Sequence, residues 1–563
     1  NNGNEVPTDK KSAKEYWDDR LKKVATFAST DEYLLMNGCD HQPVQADLGK
    51  AIEVASELYP DINFKHSNFP DYIKAIKEKV PNDLAVVKGE LTSQDTDGWS
   101  TLINCASSHI YLKQMNRKCE SALENGAEPV RVLSSVLGQN YPSDELEYSW
   151  KKLMQNHPHD SICCCSVDEV QDEMATRFNK SKQVADYLVS EGTRYIADKI
   201  NTKEYEKYKN ALPFVVFNTT GRKRTSVVSV EIDVTRKSGW LKKCAYDLDE
   251  INVPNYKLID SAGNSIPFKI EDLGVRFGYD LPKDKFRQPY MARRVRVTFE
   301  AENISAVGYK TYALVEGDAE KVTDTLVSGE NCMENDAIRV EINKNGSLNV
   351  TDKASGRTYK GVAYYEETGD LGNEYMYKMP EGSKAITTQD TVAKIELAED
   401  EPYRAMYKIT NTITVPKSGD DNFEDEKRHM VFFKERVGGR SNDTVEMKIE
   451  TFVSLDKNGK GVKIKTRFDN EVKDHRVRIM VPTGINSDVH KADSVFEVVT
   501  RNNRHNAGWN NPSGCEHEQG FVSIDDGEKG IAVANIGLYE YEMLPDLDNT
   551  IAVTILRAVG EMG

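Results

Sequence analysis

The segment from Asn156 to Ser166 carries two histidines, an aspartate and three consecutive cysteines in the letters NHPHDSICCCS. His157 and His159 flank a proline, which favours an extended backbone whose residues i and i+2 project to the same side. Both imidazoles could therefore bind one metal ion, although a catalytic zinc needs about three protein ligands. The alternative is that they hydrogen-bond to neighbouring helix ends, as histidines do more often. Spacing alone leaves both hypotheses open.

The three cysteines, Cys163 to Cys165, precede a predicted helix whose dipole lowers the pKa of nearby thiols. A redox centre is one hypothesis, and a cysteine nucleophile, which needs a positioned histidine base, is another. Packing as small apolar residues is the simpler interpretation, because adjacent cysteines seldom pair within a chain. The nine cysteines include no C-x-x-C pair, so they predict neither a disulfide framework nor a four-cysteine zinc site. They favour a reducing compartment, the cytoplasm.

Carboxylates close two predicted strands in the first part of the chain. Asp40 follows the strand EYLLMNG and Glu90 lies in the strand LAVVKGEL, with INFKHS as a third strand between them. The helices DLGKAIEVASELYP and FPDYIKAIKEKV alternate with these strands, which predicts a parallel α/β barrel or open sheet. Chemistry in such folds lies at the carboxyl ends of the strands, where paired carboxylates can act on a glycosidic bond. Helix capping or a bond to a loop amide is the alternative role for each.

Two different periodicities follow along the chain. Residues 100–210 form long amphipathic segments that predict a helical bundle, and Ser166 with Glu169 fits a capping box that starts its last helix. That helix has an apolar stripe predicted to lie in the bundle core, made of Val167, Val170, Met174, Phe178 and Val184. From about residue 212 onward apolar and polar residues alternate, which predicts β-sandwiches.

Composition narrows the classes of function. The 563 residues carry a net charge of −17, which argues against a nucleic-acid partner because such a partner requires a basic face. The sequence contains no run of about 18 apolar residues, so no membrane span is predicted. The length suggests about three or four domains. The oligomeric state stays open, with a homo-oligomer as one option.

Several stretches, in order along the chain, resemble the bacterial branch of glycoside hydrolase family 38, the zinc-dependent retaining α-mannosidases. They are LLMNGCDHQPVQ, GEL with IYLKQMNRKCE, NHPHDSICCCSVDEVQDEM, PFVVFNTT, GDLGNEYMY, DHRVRIMVPTG and QGFVSIDD with GLYEYE and ILRAVG. The resemblance implies a multidomain fold with the C-terminal part of a seven-stranded β/α barrel, then a helical bundle, then β-sandwich domains. We predict domain boundaries at 1–105, 106–210, 211–330 and 331–563.

The resemblance also implies site residues, a cofactor and a substrate. His159 is expected to bind Zn²⁺, and Asp160 to bind hydroxyls of an α-mannoside glycan or oligosaccharide. Asp40, in a stretch that departs from the family's G-D-D, is the expected acid/base, and Glu90 is the second choice. His41 and Ser67 are expected to line the same rim and contact the substrate.

The sequence lacks two motifs of the family pattern and leaves three alternatives. It contains neither the H-x-D pair that holds zinc nor the nucleophile motif. Both are expected upstream in the barrel, so a polypeptide of these residues alone is predicted to be inactive, and the C-terminal domain is expected to be cut short. The alternatives are a mannosylglycerate-type hydrolase of the same family, a non-catalytic carbohydrate-binding protein, and a redox protein that uses Cys163 to Cys165.

Overall fold

The structure is a computed structural model that describes residues 5–39, 41–86, 90, 97–99, 101–282, 284–320 and 322–562. The chain divides into two compact units, Asn1–Thr92 and Ser93–Gly563. Within the described residues the α-helices are α1 Lys10–Phe27, α2 Leu48–Leu58, α3 Phe69–Lys77, α4 Ile110–Ser121, α5 Glu128–Val136, α6 Ser143–Met154, α7 His159–Ile162, α8 Asp168–Ala197, α9 Leu241–Asp249 and α10 Asp421–Arg428.

The first unit contains α1, α2 and α3, and α1 and α2 enclose a small core. Trp17 of α1 packs against Phe64 with ring centroids 4.8 Å apart, beside the buried Ala51, Val54 and Ala55 of α2. The predicted helices in residues 47–60 and 69–80 are confirmed as α2 and α3. Asn68 caps α3 by accepting the backbone N–H of Asp71 at 3.0 Å.

The strands predicted for this unit are wrong where the structure describes them. EYLLMNG and INFKHS form neither a helix nor a strand, and residues 84–86 of LAVVKGEL are not a strand either. An apolar run has β-propensity, but a strand is completed only by ladder hydrogen bonds to a neighbour. None of the described residues from 5 to 86 forms such a ladder. The β/α barrel therefore stays a prediction.

The second unit begins with a helical bundle made of α4, α5, α6 and α8. A π-helical segment, Ala122–Ala127, joins α4 to α5, and Pro129 lies in the first turn of α5, directly after this segment. The bundle core contains Leu112, Leu123, Leu153, Met174 and Phe178, all fully buried. Of the predicted stripe on α8, Met174 and Phe178 lie in this core, whereas Val167 is 54% exposed.

The predicted start of α8 is also wrong. The helix begins at Asp168 after Val167, without a capping hydrogen bond from a side chain. Ser166 Oγ is buried and has no hydrogen-bond partner among the described residues, so the capping box does not form. The last turn of the preceding loop is instead held by Gln171 Nε2, which donates to the carbonyl oxygen of Ser166 at 2.9 Å.

The remainder of the second unit is mainly antiparallel β-structure with the helices α9 and α10, and the described residues of its first part form two sheets. Their strand orders are β1-β7-β3-β4 and β2-β6-β5, with the apolar residues of both faces between them. The strands are β1 Leu212–Asn218, β2 Arg224–Lys237, β3 Tyr256–Asp260, β4 Ser265–Ile266, β5 Phe268–Asp280, β6 Gln288–Ile304 and β7 Gly308–Glu316.

The described residues of the second β-region form four sheets that share a large core. A six-stranded sheet, β14-β13-β19-β26-β25-β22, has a face rich in buried charged residues. The other orders are β12-β11-β10-β9-β8, β15-β16-β17-β18 and β21-β20-β23-β24. The strands are β8 Val327–Gly329, β9 Cys332–Glu334, β10 Ile338–Ile342, β11 Leu348–Asp352, β12 Arg357–Val362, β13 Tyr364–Gly369, β14 Ile386–Thr387, β15 Lys394–Glu401, β16 Arg404–Pro416, β17 Thr444–Asp456, β18 Lys463–Arg467, β19 His475–Val481, β20 Val489–Asp493, β21 Val498–Asn502, β22 Cys515–His517, β23 Phe521–Asp525, β24 Gly530–Ala534, β25 Glu540–Met543 and β26 Ile551–Ala558.

The order of helices followed by β-sheets confirms the coarse prediction of a multidomain α/β chain that is mostly β. Among the described residues, no helix combines the length and the apolar character that crossing a membrane requires.

Candidate functional site

The loop between α6 and α8 is fixed at its start by two residues with different surroundings. Asn156 is fully buried and donates from Nδ2 to the carbonyl oxygen of Met174 in α8 at 3.0 Å. His157 is half-buried and donates from Nε2 to Asn116 Oδ1 of α4 at 2.8 Å. Burial lowers the pKa of His157, which favours its neutral form. His157 is therefore a structural histidine that ties the loop to α4.

The next residues form the short helix α7, which displays His159 and Asp160. Pro158 precedes the helix, and its carbonyl oxygen accepts the N–H groups of Ser161 and Ile162 at 3.0 and 3.1 Å. The side chains of His159 and Asp160 are 89% and 71% exposed, and His159 Nε2 lies 3.2 Å from Asp160 Oδ1. The loop thus presents one imidazole nitrogen and one carboxylate oxygen side by side to solvent.

This pair fits part of a zinc site. Imidazole and carboxylate are both common zinc ligands, but a zinc ion needs at least three protein ligands. In the part of the chain that the structure describes, no group of three or more His, Cys, Asp or Glu side chains is placed to hold a metal ion. The described residues supply at most two donors.

The cysteines that follow divide into three environments. Cys164 is buried in the bundle core, as predicted, and its backbone is left-handed with φ +66°, which closes the turn after α7. Cys165 is half-buried, and its thiol lies 3.6 Å from Asp160 Oδ1. Cys163 is half-buried and accepts a hydrogen bond from the Cys105 thiol, which together with the nearby Lys113 charge lowers its pKa to about 6 against the cost of burial.

A 3₁₀ turn, Ile103–Ser107, packs against the loop between α6 and α8. Ser108 Oγ lies 2.6 Å from the carbonyl oxygen of Cys163 and 3.0 Å from that of Cys105, so its single proton can serve either. Lys113 Nζ donates to Ser108 Oγ at 3.0 Å and to Cys164 Sγ at 3.2 Å. Burial lowers the pKa of Lys113, whose side chain is enclosed by the bundle.

The six-stranded sheet holds this turn in place. Glu540 of β25 accepts from Asn104 Nδ2 at 2.8 Å and from Ser107 Oγ at 2.6 Å, and its other oxygen accepts from Thr554 Oγ1. Arg557 of β26 donates to the carbonyl oxygen of Asn104 at 3.2 Å. Buried charges of the β-region are therefore connected to the loop through the 103–108 turn.

A second turn, residues 370–377, reaches the same loop and was not identified as a site from the sequence. Asn104 N donates to the carbonyl oxygen of Tyr375 at 3.2 Å, and Tyr377 N donates to Asn104 Oδ1 at 2.8 Å. The Tyr375 hydroxyl donates to the Cys165 thiol, and this bond together with burial raises the pKa of Tyr375. The motif GDLGNEYMY was the signal for this turn, but nothing in it indicated contact with the cysteines.

The other predicted site residues belong to the first unit. His41 is exposed with φ +58°, Ser67 is exposed in the segment before α3, and Glu90 is half-buried. Asp40 lies outside the described residues. The structure thus brings together His159 and Asp160, and the roles predicted for Asp40, His41, Ser67 and Glu90 stay predictions.

Comparisons with known proteins match most of the chain to one family. Residues 100–196 match the family model described as alpha mannosidase middle domain. Residues 209–316 match glycosyl hydrolases family 38 C-terminal domain 1, and residues 333–561 match glycosyl hydrolases family 38 C-terminal domain.

Relatives of similar sequence are longer than this chain. A protein of Halalkalibacterium halodurans, whose curated name proposes a mannosylglycerate hydrolase, is 42% identical over all of this chain and 63% of its own length. The crystal structure of an alpha-mannosidase from Enterococcus faecalis V583 superposes with a TM-score of 0.95 at 43% identity, over all of this chain and 64% of that one. A second family 38 structure from Enterococcus faecalis gives 0.88 at 39% identity, over 99% of this chain and 63% of that one. The chain spans less than two thirds of each.

Proposed function

Since the chain belongs to glycoside hydrolase family 38, we propose that it is part of a zinc-dependent, retaining α-mannosidase that releases terminal α-linked mannose from glycans or oligosaccharides. The observation that carries the proposal is the exposed pair of His159 Nε2 and Asp160 Oδ1, 3.2 Å apart on a loop anchored by buried Asn156. The similarity to the Enterococcus faecalis alpha-mannosidase supports it.

The two exposed side chains have different tasks in this proposal. His159 would bind zinc through its imidazole, and Asp160 would accept hydrogen bonds from the hydroxyls of the terminal mannose. A bound zinc ion supplies a Lewis acid that anchors and orients neighbouring sugar hydroxyls. The further ligands would come from residues outside those described, because the described residues provide at most two donors.

The chemistry of a retaining glycosidase requires two carboxyl groups about 5 Å apart, one as nucleophile and one as acid/base. We propose Asp40 as the acid/base, which protonates the leaving glycosidic oxygen and then takes a proton from the attacking water. Glu90 is the second candidate. The chain contributes no nucleophile that its motifs identify.

A mannosylglycerate-type hydrolase is the second candidate function, and the name of the Halalkalibacterium relative favours it. The two activities differ in the aglycone, since glycerate carries a carboxylate that a neutral sugar does not. A non-catalytic carbohydrate-binding protein is the third candidate. For the location we propose the cytoplasm, because all nine cysteines are free thiols.

Hydrolysis assays on the full-length protein test these proposals. α-1,3- and α-1,6-linked mannobiose are compared with mannosylglycerate, before and after removal of metal by a chelator and re-addition of Zn²⁺. We expect faster turnover of a mannobiose, loss of activity in the chelated protein, and α-mannose as the first product by NMR. Faster turnover of mannosylglycerate would favour the second function. Sugar binding without turnover of any substrate would favour the third.

A further inference from the structure

The side chains of Cys105 and Cys163 interact electrostatically with each other although they belong to different elements. Cys105 is buried in the 103–107 turn, whereas Cys163 follows α7 and is partly accessible to solvent. Ser108 Oγ lies within 3.0 Å of both of their carbonyl oxygens, so the two backbone segments are adjacent. A buried thiol and a reachable thiol therefore form a pair at the base of the loop.

A buried lysine lies beside this pair. Lys113 is 3% exposed, and its Nζ lies 3.2 Å from Cys164 Sγ. No carboxylate of the described residues forms an ion pair with it, and its favourable electrostatic partners are the sulfurs of Cys164, Cys163 and Cys105. An ammonium group beside thiols stabilises negative charge on sulfur, which is the form that attacks electrophiles.

We propose that Cys163 and Cys105 form an oxidation site whose substrate is a hydroperoxide and whose product is a reversible disulfide. In the first step the Cys163 sulfur attacks the terminal peroxide oxygen, the O–O bond breaks, and the thiol proton leaves with the alcohol or water product. Cys163 becomes a sulfenic acid. In the second step the Cys105 sulfur attacks the Cys163 sulfur, the S–O bond breaks, and hydroxide leaves as water with the Cys105 proton. Two thiols lose two electrons, which reduce one peroxide.

The disulfide would tie the 103–107 turn covalently to the loop that displays His159 and Asp160. A dithiol reductant reverses it by thiol–disulfide exchange. The proposal does not depend on the glycosidase function, because its readout is the oxidation state of two named cysteines.

Peptide mapping of the full-length protein tests the site. Reduced protein is treated with hydrogen peroxide, free thiols are blocked with N-ethylmaleimide, and the digest is analysed by mass spectrometry. We expect one cross-linked pair of peptides containing Cys105 and Cys163, which dithiothreitol releases. In a Cys105→Ser variant the Cys163 sulfenic acid should accumulate and react with dimedone.

Cys119 provides the matched control, because it is buried in the same bundle and its thiol donates to the Phe178 carbonyl oxygen at 3.2 Å. A Cys119→Ser variant should still form the cross-link. Circular dichroism of each variant tests whether it is folded. If Cys105→Ser does not fold, Cys105→Ala replaces it in the experiment. A cross-link within Cys163 to Cys165, or no loss of the two thiols at peroxide levels that oxidise free cysteine, would overturn the proposal.

Discussion

Arg557 and Asp370 form an ion pair of 2.8 Å in which both side chains are completely buried. The guanidinium also donates to the carbonyl oxygens of Asn373 and Asn104, so its N–H groups hold both turns that support the candidate loop. Burying two charges is costly unless each is paired and hydrogen-bonded, and here both conditions are met.

Arg557→Met should therefore destabilise the second unit by about 3–5 kcal/mol, because it leaves Asp370 as an unpaired buried charge. The urea dependence of unfolding measures this change. Arg296→Gln is the matched control, since its partner Glu231 is 44% exposed and solvent screens such a surface pair, so this substitution should change stability little. Equal effects of the two substitutions would contradict the prediction.

Glu540 connects the β-sheet to the 103–108 turn. Glu540→Leu removes the acceptor of Asn104, Ser107 and Thr554 at once, and each hydrogen bond to a charged acceptor contributes roughly 1.5–3 kcal/mol. Glu540→Gln keeps one acceptor oxygen, so it should lose much less stability than Glu540→Leu. Thermal unfolding of both variants distinguishes them, and an equal loss in both would show that the carboxylate is not the holding group.

The sequence predicts local structure well where one periodicity is strong. α2 and α3 follow from their apolar faces, and the β-strands after residue 212 follow from alternation. α1 was not identified because its 18 residues are largely polar, with only Ala13 and Trp17 buried. Ser166 and Glu169 have the spacing of a capping box, yet Gln171 satisfies the loop carbonyls and the cap does not form.

The candidate site is predictable only in part for a related reason. His159 and Asp160 are adjacent in sequence, so a local motif identifies them. Their supports are contacts between distant segments, such as Tyr375 with Cys165 and Cys105 with Cys163, and no periodicity encodes these. Spacing makes His157 and His159 equivalent, and the structure separates them because His157 bonds to Asn116 whereas the His159 side chain is 89% exposed.

Glu518 should make the stability of the second unit depend on pH. Burial, with the neighbouring charge of Asp493, raises its pKa to about 8, against a hydrogen bond from Asn535. Between its unfolded value of 4.5 and about 8 the folded state binds one more proton than the unfolded state, so stability falls as pH rises. The slope from this group is about 1.4 kcal/mol per pH unit, fully developed in the middle of that range. Glu518→Gln should flatten it in urea titrations from pH 5 to 8, and an unchanged slope would contradict the assignment.

Gly192 lies where α8 crosses α5, and a side chain there has no room. A Cβ atom would meet Val130 Cγ1 at 2.5 Å, so Gly192→Ala should destabilise the bundle by about 1–3 kcal/mol despite the better helix propensity of alanine. Gly49 of α2 is the control, because no other part of the described chain comes within 4 Å of its added Cβ. Gly49→Ala should be neutral or stabilise its own unit by up to about 1 kcal/mol. Thermal unfolding measures both variants, and a neutral Gly192→Ala would be evidence against this helix contact.

His159 and His157 should separate metal binding from loop stability. In the full-length protein, His159→Ala should lower zinc content and hydrolysis together, with little effect on unfolding because the side chain is 89% exposed. His157→Ala should instead cost about 1–3 kcal/mol of stability, since it removes the hydrogen bond to Asn116 Oδ1. Metal analysis after dialysis, calorimetry and turnover of an α-mannoside give the three readouts. Full zinc content and activity in His159→Ala, or loss of zinc in a folded His157→Ala, would contradict the assignment of His159 as the ligand.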